Sequence, residues 1–352
     1  MRFEAARAVL RRAIDERAFP AAVVEVGGVN DYFWREPFGH LTYDDDARPT
    51  AADTIFDLAS LTKVMSTTPL LMQQVERGRV ALDDAVARHL PAWRGLDRES
   101  VTIRDLLAHC GGLTAYLPFF RDHSGRSEFE HAICSLPLEY APRTKSIYSD
   151  LGFMLLAFIL EDTGSAPLAD RFATMMGQMG IVDRIQFTPP ALWRRDTAPT
   201  EQDPWRGRLV VGEVHDENAW ALGGVAGHAG LFGTAASVGA YARHVLQVLA
   251  GRTGAFARET LTTFTTRRAD IPGSSRALGW DTMLPTSSCG TKMSPRAFGH
   301  TGFTGTSLWI DPDRGVYVVL LTNRVHPTRA NEQINLVRRA LHDAVIDSID
   351  AG

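Results

Sequence analysis

The sequence predicts a mixed α/β fold: an antiparallel sheet flanked by helices, with a mostly helical subdomain inserted into the chain. Extended apolar segments lie near both ends, at 21–28 and 316–322, and each has the length of a strand. Residues from about 61 to 200 consist instead mainly of helical patterns and loops. We therefore expect both ends of the chain to contribute strands to one sheet, with the helical region between them.

The N-terminal part is predicted to begin with an amphipathic helix over about 1–17. The segment 21–28 ends in two glycines, which favours a strand that runs into a tight turn. Residues 29–38 are then expected to return as its hairpin partner. A largely apolar stretch from 64 to 75 predicts a buried helix that begins near Ser60.

The C-terminal part is predicted to return to strands and to end in a helix. Strands are expected near 230–234, 278–283, 298–310 and 316–322, and the closing helix from 331 to about 349. We interpret the chain as one domain over 1–352. Its α/β subdomain covers about 1–65 and 221–352, and its helical subdomain covers about 66–220.

Composition argues against several functional classes. The net charge of −4 gives no sign of a nucleic-acid partner, and no apolar run reaches the roughly 18 residues of a membrane span. Cys110, Cys134 and Cys289 lack a metal-ligand spacing, and the polar segment 214–218 lacks a third ligand, so we predict no metal and no cofactor. The N-terminus lacks the apolar core of a signal peptide, which favours a cytoplasmic location. The oligomeric state is left open.

Lysine is rare in this chain, and one of its three lysines forms the only Ser-x-x-Lys, Ser60 to Lys63. Proton transfer can use lysine but not arginine, because a guanidinium keeps its proton in proteins. On a helix that begins near Ser60, the two side chains lie one turn apart on the same face. We expect burial to lower the pKa of Lys63, so that its neutral amine accepts the serine proton. A capping serine followed by a surface lysine is the alternative interpretation.

Two later segments carry further polar groups. Residues 148–150 (Tyr-Ser-Asp) immediately precede an apolar helix predicted over 151–160, and residues 300–302 (His-Thr-Gly) lead into a predicted strand. The glycine of the second segment allows a strand to pass close to a ligand. Taken singly, the tyrosine and the histidine are more often structural.

In this order and at this spacing, the three motifs resemble those of the serine β-lactamase and penicillin-binding protein superfamily, specifically its class C-like and esterase branch. That family carries Ser-x-x-Lys, then Tyr-x-Asn, then Lys-Thr-Gly or His-x-Gly. Residues 102–113 resemble its helix-and-turn segment that ends in Ser-Gly-Leu, and residues 222–234 resemble its glycine-rich approach to a strand. The resemblance extends from about residue 20 to the C-terminal helix and implies a β-lactamase/transpeptidase-like fold.

The resemblance implies a role for each matching residue. Ser60 is the expected acyl-forming nucleophile, and Lys63 is its base or hydrogen-bond partner. Tyr148 is the expected second acid/base group, which protonates the leaving group and later activates water. The backbone N–H groups of Ser60 and Phe303 are expected to form the oxyanion hole, and His300 takes the place of the family's strand lysine.

Four residues are expected to contact the substrate: Asp150, His300, Thr301 and Gly302. Two of them depart from the family pattern. Asp150 stands where the class C pattern has asparagine, and the neutral imidazole of His300 attracts a carboxylate less well than an ammonium does. Both changes disfavour efficient β-lactam hydrolysis and favour an ester or an unusual amide.

We therefore interpret the chain as a serine hydrolase that acts through a Ser60 acyl-enzyme on a small carboxylic ester or amide. The alternatives in the same family are a β-lactamase and a penicillin-binding protein of the D-Ala-D-Ala carboxypeptidase type. An α/β-hydrolase is disfavoured because the sequence contains no Gly-x-Ser-x-Gly. The non-enzyme alternative is a catalytically silent binding protein on the same fold, which the joint presence of Ser60, Lys63 and Tyr148 disfavours.

Overall fold

The strands of the computed structural model, which describes residues 2–164, 166–182 and 184–352, come from both ends of the chain. In chain order they are β1 (Ala21–Gly28), β2 (Tyr32–Gly39), β3 (Phe56–Asp57), β4 (Ile185–Phe187), β5 (Gln202–Asp203), β6 (Arg208–Leu209), β7 (Leu231–Gly233), β8 (Asp281–Thr282), β9 (Phe298–Thr301), β10 (Ser307–Asp311) and β11 (Val316–Thr322). The main sheet is antiparallel throughout and has the order β2-β1-β11-β10-β9-β8. This confirms the predicted sheet shared by the two ends.

The helices surround this sheet and fill the insertion. They are α1 (Glu4–Asp15), α2 (Thr68–Glu76), α3 (Val86–His89), α4 (Ile103–Leu107), α5 (Gly125–Ser135), α6 (Asp150–Thr163), α7 (Leu168–Gln178), α8 (Glu217–Ala221), α9 (Ala235–Leu249), α10 (Arg258–Thr265) and α11 (Ile334–Asp350). A π-helical turn, Lys63–Thr67, directly precedes α2.

Strand β11 shows how the sheet is held between its layers. All of its residues are buried, because an apolar run in the middle of a sheet has helices on both faces. Successive side chains point to opposite faces. Val318 and Leu320 belong to the core that contains residues of α1 and α11, whereas Val319 and Leu321 belong to the larger core that contains residues of α9 and the helical region.

Helix α6 forms the centre of the helical region. Ten consecutive residues, 151–160, are buried, so the helix is apolar on every side. Among the described residues, no single helix has the length and apolarity of a membrane span; only α6 and α7 taken together, across a bend of 82°, pass by length and composition. The buried side chains of α6 account for its apolarity as part of a protein core.

The predicted strand near 230–234 is confirmed as β7, which pairs with β3 and β4 in a separate small sheet. Another strand prediction is wrong in detail. The predicted strand 298–310 is interrupted, because β9 and β10 are separate strands joined by residues 302–306. Gly305 in this connection has φ +112°, a conformation that a strand residue does not adopt.

Candidate active site

Ser60 lies on a tight turn between β3 and the helix that begins at Leu61. Ala59, directly before it, has φ +46°, a left-handed conformation that is costly for a residue with a Cβ. The Asp57 carboxylate holds this turn, because its Oδ1 accepts a hydrogen bond of 2.8 Å from the Ala59 N–H. The result is a partly exposed serine at the start of a buried helix.

Lys63 is fully buried, and its ammonium group has three acceptors. Its Nζ lies 2.9 Å from Ser60 Oγ, 2.7 Å from Asp150 Oδ1 and 3.1 Å from the His228 carbonyl oxygen. Burial alone would lower the pKa of Lys63, but the Asp150 carboxylate raises it above its ordinary value. The predicted lowering of this pKa is therefore wrong, because it did not take account of an ion pair formed across the fold.

The Tyr148 ring lies against the Lys63 ammonium group, with its centroid 4.9 Å from Lys63 Nζ. Burial raises the pKa of the Tyr148 hydroxyl, while the charge of Lys63 and hydrogen bonding with Lys63 and Ser60 act in the opposite direction. The backbone after Tyr148 is fixed by His109, whose Nδ1 accepts a 3.0 Å hydrogen bond from the Ser149 N–H. The His109 ring also packs against Tyr148, at 4.7 Å between centroids.

Strand β9 brings His300, Thr301 and Gly302 alongside the Ser60 turn. The connection after β9 is tied to that turn by two threonines: Thr304 Oγ1 donates to the Asp57 carbonyl at 2.7 Å, and Thr306 Oγ1 donates to the Leu58 carbonyl at 3.0 Å. From the other side, buried Arg338 of α11 donates to the carbonyls of Gly302 and Thr306 at 2.8 and 2.7 Å. These bonds set the distance between the strand and the serine.

Replacing Gly302 with alanine tests this close approach. A Cβ at this position would lie 2.6 Å from the Leu58 carbonyl oxygen and would also collide with Thr306 Oγ1. We expect the free energy of unfolding to fall by about 1–3 kcal/mol, because the strand must move away from the Ser60 turn. Urea denaturation measures this change.

Gly177→Ala in α7 is the matched control, because no neighbouring atom lies within 4 Å of its Cβ position. Alanine is the better helix former, so this variant is expected to be as stable as the wild type or up to about 1 kcal/mol more stable. Equal stability of the two variants would contradict the close approach at Gly302.

The backbone N–H groups of Ser60 and Phe303 are the predicted oxyanion donors. Within the part of the chain that the structure describes, neither the Ser60 N–H nor the Phe303 N–H donates a hydrogen bond. Both residues line the same cavity, and the side chain of Phe303 is half exposed. Free donors at a cavity wall are the requirement for stabilising developing negative charge.

His300 is buried and neutral at physiological pH. Burial, followed by the charges of Arg276 and Lys63, holds its pKa well below the ordinary value. Its Nδ1 lies 2.8 Å from the Thr301 carbonyl and is assigned as the protonated nitrogen. The buried Nε2 then carries a lone pair, with no partner among the described residues.

The cavity at Ser60 has a volume of about 640 Å³ and a positive wall. Arg276 is the notable group, because within the described residues its guanidinium forms no hydrogen bond or ion pair, while its Cζ lies 5.0 Å from the Tyr148 ring centroid. The polar and charged residues that line the cavity are Ser60, Tyr148, Arg276, Asp281, His300, Thr301, Arg324, Arg329, Glu332, Asn335 and Arg338. Asp150 is not among the residues that line the cavity.

The polar segment 214–218 is occupied by contacts within the protein. His215 Nε2 lies 2.9 Å from Glu201, and Glu217 accepts a 2.7 Å hydrogen bond from Arg329. The described residues contain no group of three or more His, Cys, Asp or Glu side chains with the geometry of a metal site. These contacts support the wall of the cavity that carries Arg329.

Sequence reasoning missed two features of this site. It placed Asp150 against the substrate, whereas the structure pairs it with Lys63. It also overlooked Arg276, which lies in no motif and is one of 34 arginines. Neither feature has a local sequence signal, because each depends on elements that are far apart in the chain.

A serine paired with a buried lysine, on a turn beside an antiparallel sheet, defines a serine hydrolase of the β-lactamase and penicillin-binding type. The chain belongs to the beta-lactamase family, whose model, described as Beta-lactamase, matches residues 6–342. A protein of Salmonella gallinarum, provisionally named a D-alanyl-D-alanine carboxypeptidase, is 31% identical over 342 residues, covering 84% of this chain and 77% of its own. A Salmonella typhi protein of the same name is 30% identical with the same coverage.

Solved structures show the same fold at low sequence identity. EstCE1, a hydrolase with promiscuous acyltransferase activity, has a TM-score of 0.78 and 20% identity, covering 97% of this chain and 98% of its own. A penicillin-binding protein homologue from Caulobacter crescentus has a TM-score of 0.78 and 18% identity over 99% and 97% of the two chains. Simvastatin synthase from Aspergillus terreus has a TM-score of 0.76 and 18% identity over 99% and 98%.

Proposed function

We propose that the protein hydrolyses a small carboxylic ester or amide through an acyl-enzyme formed on Ser60. One observation carries this proposal: Ser60 Oγ lies 2.9 Å from Lys63 Nζ at the wall of a cavity of about 640 Å³. A hydroxyl that is exposed to a substrate pocket and bonded to a proton-transfer group is the arrangement of an activated nucleophile. A silent binding protein has no chemical need for a buried lysine at this position.

The remaining roles follow from the surroundings of Ser60. Its Oγ attacks the carbonyl carbon, and the free N–H groups of Ser60 and Phe303 bind the oxyanion. Lys63 Nζ, 2.9 Å from Ser60 Oγ, takes part in the transfer of the serine proton. Tyr148 holds its proton at neutral pH because burial raises its pKa, which suits a donor to the leaving group.

The cavity is proposed to lie between two subdomains. The α/β subdomain, about 1–65 and 221–352, carries Ser60 and His300, and the helical subdomain, about 66–220, carries Tyr148. A cleft between two packed units is a common location for a substrate site. Within it, His300, Thr301 and Gly302 would contact the substrate along the strand.

We propose that the substrate carries an anionic group next to the scissile bond, and that Arg276 binds this group. Arg276 has no carboxylate partner among the described residues, and neutral His300 does not supply a positive charge. A guanidinium suits a carboxylate, because it donates two parallel hydrogen bonds. This charge also supports a second candidate, a D-alanyl-D-alanine-type carboxypeptidase, the name carried by the Salmonella relatives.

Replacing Arg276 with glutamine is expected to reduce selectivity for anionic substrates. The ratio of kcat/KM for a carboxylate-bearing ester to that for its neutral methyl analogue should fall by about 10-fold or more, since a hydrogen bond to a charged group contributes about 1.5–3 kcal/mol. The matched control is Arg296→Gln, at a surface arginine that is paired with Asp313. An unchanged ratio in the Arg276 variant would assign the anion to another arginine of the cavity.

The proposed function is tested by incubating the protein with short nitrophenyl esters and quenching with acid. We expect nitrophenol release and an acyl mass increment on the peptide that contains Ser60. Parallel incubations with a chromogenic cephalosporin and a D-alanyl-D-alanine peptide separate an esterase from a β-lactamase and a carboxypeptidase. Absence of turnover and of any adduct with all three compounds would overturn the acyl-enzyme proposal and favour a silent binding protein.

A further inference from the structure

The groups assigned to proton transfer hold their protons in the resting site. Lys63 Nζ has three acceptors, Ser60 Oγ, Asp150 Oδ1 and the His228 carbonyl, which together use all three hydrogens of an ammonium. The Asp150 carboxylate, 2.7 Å away, stabilises this ammonium form. Tyr148 also keeps its proton, because burial raises its pKa. Attack by Ser60 therefore needs a further proton acceptor.

We propose that Asp150 is the final acceptor of the Ser60 proton, which it receives through Lys63. This inference rests on the proposed acyl-enzyme function. Asp150 Oδ1 is 2.7 Å from Lys63 Nζ, and its side chain is 18% exposed, so the carboxylate is held close to the ammonium with little access to water. Its backbone is also fixed, since its N–H donates to the Ala115 carbonyl at 3.0 Å. An asparagine at this position, as in the family pattern, has no site for this proton.

The transfer has two balanced steps. First, Lys63 passes one proton to Asp150, which leaves a neutral amine and a carboxylic acid. Rotation about the Cε–Nζ bond then directs the amine lone pair at Ser60 Oγ, and the amine takes the serine proton as Oγ bonds to the carbonyl carbon. When the intermediate collapses, the leaving group takes its proton from Tyr148, and Asp150 returns its proton to Tyr148 through Lys63.

The titratable groups around the pair come from several elements. His109 follows α4 and His300 lies on β9, and burial keeps the pKa of each well below its ordinary value, so both are neutral. Burial also raises the pKa of Tyr116 and of Tyr148. The other groups near Lys63 and Asp150 are Tyr116, Tyr148 and Asp216 with its partner His228. Arg276, whose guanidinium has no hydrogen bond or ion pair among the described residues, lies against the Tyr148 ring.

Two of these groups could compete with Asp150 for the proton, and neither is well suited. The lone pair of His300 Nε2 belongs to a weak base, because of its low pKa. Burial would raise the pKa of Asp216, but His228, 2.9 Å away, outweighs it and holds that pKa well below the ordinary value. Asp150 is the carboxylate that contacts Lys63 directly.

The test is the pH dependence of kcat/KM for a nitrophenyl ester in wild type and Asp150→Asn. If Asp150 accepts the proton, the variant is active only when Lys63 is already neutral. Its acid limb should then move to higher pH by more than about 2 units, with about 100-fold lower kcat/KM at pH 7 and recovery in alkali. If Asp150 only keeps Lys63 charged, removing it lowers the pKa of Lys63, and the limb moves to lower pH. A shift of the acid limb to lower pH, or no shift at all, would overturn the inference.

Two further variants keep this test decisive. Asp150→Glu retains a carboxylate, so its acid limb should stay within about 1 pH unit of the wild-type limb. Asp216→Asn removes a negative charge near Lys63 without removing a contact to it, and its limb is expected to move only slightly, to lower pH. The inference would also be overturned if the acid limb of Asp150→Glu or Asp216→Asn moved to higher pH as far as the acid limb of Asp150→Asn does.

The acyl adduct separates failure of this inference from failure of the proposed function. If the wild type forms no adduct on Ser60, the proposed function fails. If the adduct forms but the acid limb of Asp150→Asn moves to lower pH, only the proposed role of Asp150 is wrong. Circular dichroism and thermal melting of each variant establish that folded proteins are compared.

Discussion

Replacing Ser60 with alanine is expected to lower kcat for nitrophenyl ester hydrolysis by about ten-thousand-fold or more. The variant keeps the cavity, the free N–H groups and Lys63, but it has no oxygen to form the acyl bond. Initial rates corrected for spontaneous hydrolysis measure the loss, and mass spectrometry checks that no adduct forms. The thermal melting temperature should change little, because Ser60 is partly exposed and lies at the wall of the cavity.

Ser66→Ala is the matched control for this substitution. Ser66 lies in the same π-helical turn as Lys63, is fully buried and has no hydrogen-bond partner for its hydroxyl among the described residues. Its removal should leave the ester hydrolysis rate within about twofold of wild type, and stability should be equal or higher, because an unsatisfied polar atom is lost. Wild-type activity in Ser60→Ala would mean that another residue is the nucleophile.

Replacing Lys63 with methionine is expected to lower kcat by about a thousand-fold, since a group that transfers the serine proton contributes about 10²- to 10⁴-fold. The free energy of unfolding should fall by about 2 kcal/mol. That value is below the 3–5 kcal/mol of a fully buried pair, because Asp150, which loses its partner, is partly exposed. Ester kinetics and urea denaturation measure the two effects separately.

The double variant Lys63→Met/Asp150→Asn tests whether the stability lost in Lys63→Met comes from the unpaired charge of Asp150 or from poorer packing of the side chain. Removing both charges should restore most of the lost stability but none of the activity, since a neutral pair leaves no uncompensated charge. Lys292→Met is the control at a surface lysine, whose pair with Asp347 is exposed, and it should leave the free energy of unfolding unchanged. Full activity in Lys63→Met would exclude Lys63 from proton transfer.

The main elements of the fold could be predicted because their signals are local. The apolar run of β11 and the ten apolar residues of α6 each have the length and pattern of one element. The short strands β3, β4 and β7 could not be predicted in the same way. Each has only two or three residues, so its pairing depends on neighbours that are distant in the chain.

The candidate site was predicted in its parts but not in its electrostatics. Ser-x-x-Lys predicts that the two side chains lie one helical turn apart on the same face, and in the structure Ser60 Oγ and Lys63 Nζ are 2.9 Å apart. The pKa of Lys63, however, was predicted in the wrong direction. Burial lowers that pKa, but the charge of Asp150, 87 residues later in the chain, raises it, and no local pattern reports such a contact.

The sequence by itself determined the family, the mixed α/β architecture and the identity of the serine–lysine pair, because these depend on short-range periodicity and on motifs with a known order. The tertiary structure decided which charges meet. It paired Asp150 with Lys63, left Arg276 in the cavity without a side-chain partner among the described residues, and kept His300 neutral. Electrostatic interactions act through space and depend on burial, so protonation states in this site follow from the packing of distant elements and not from the motifs that carry the residues.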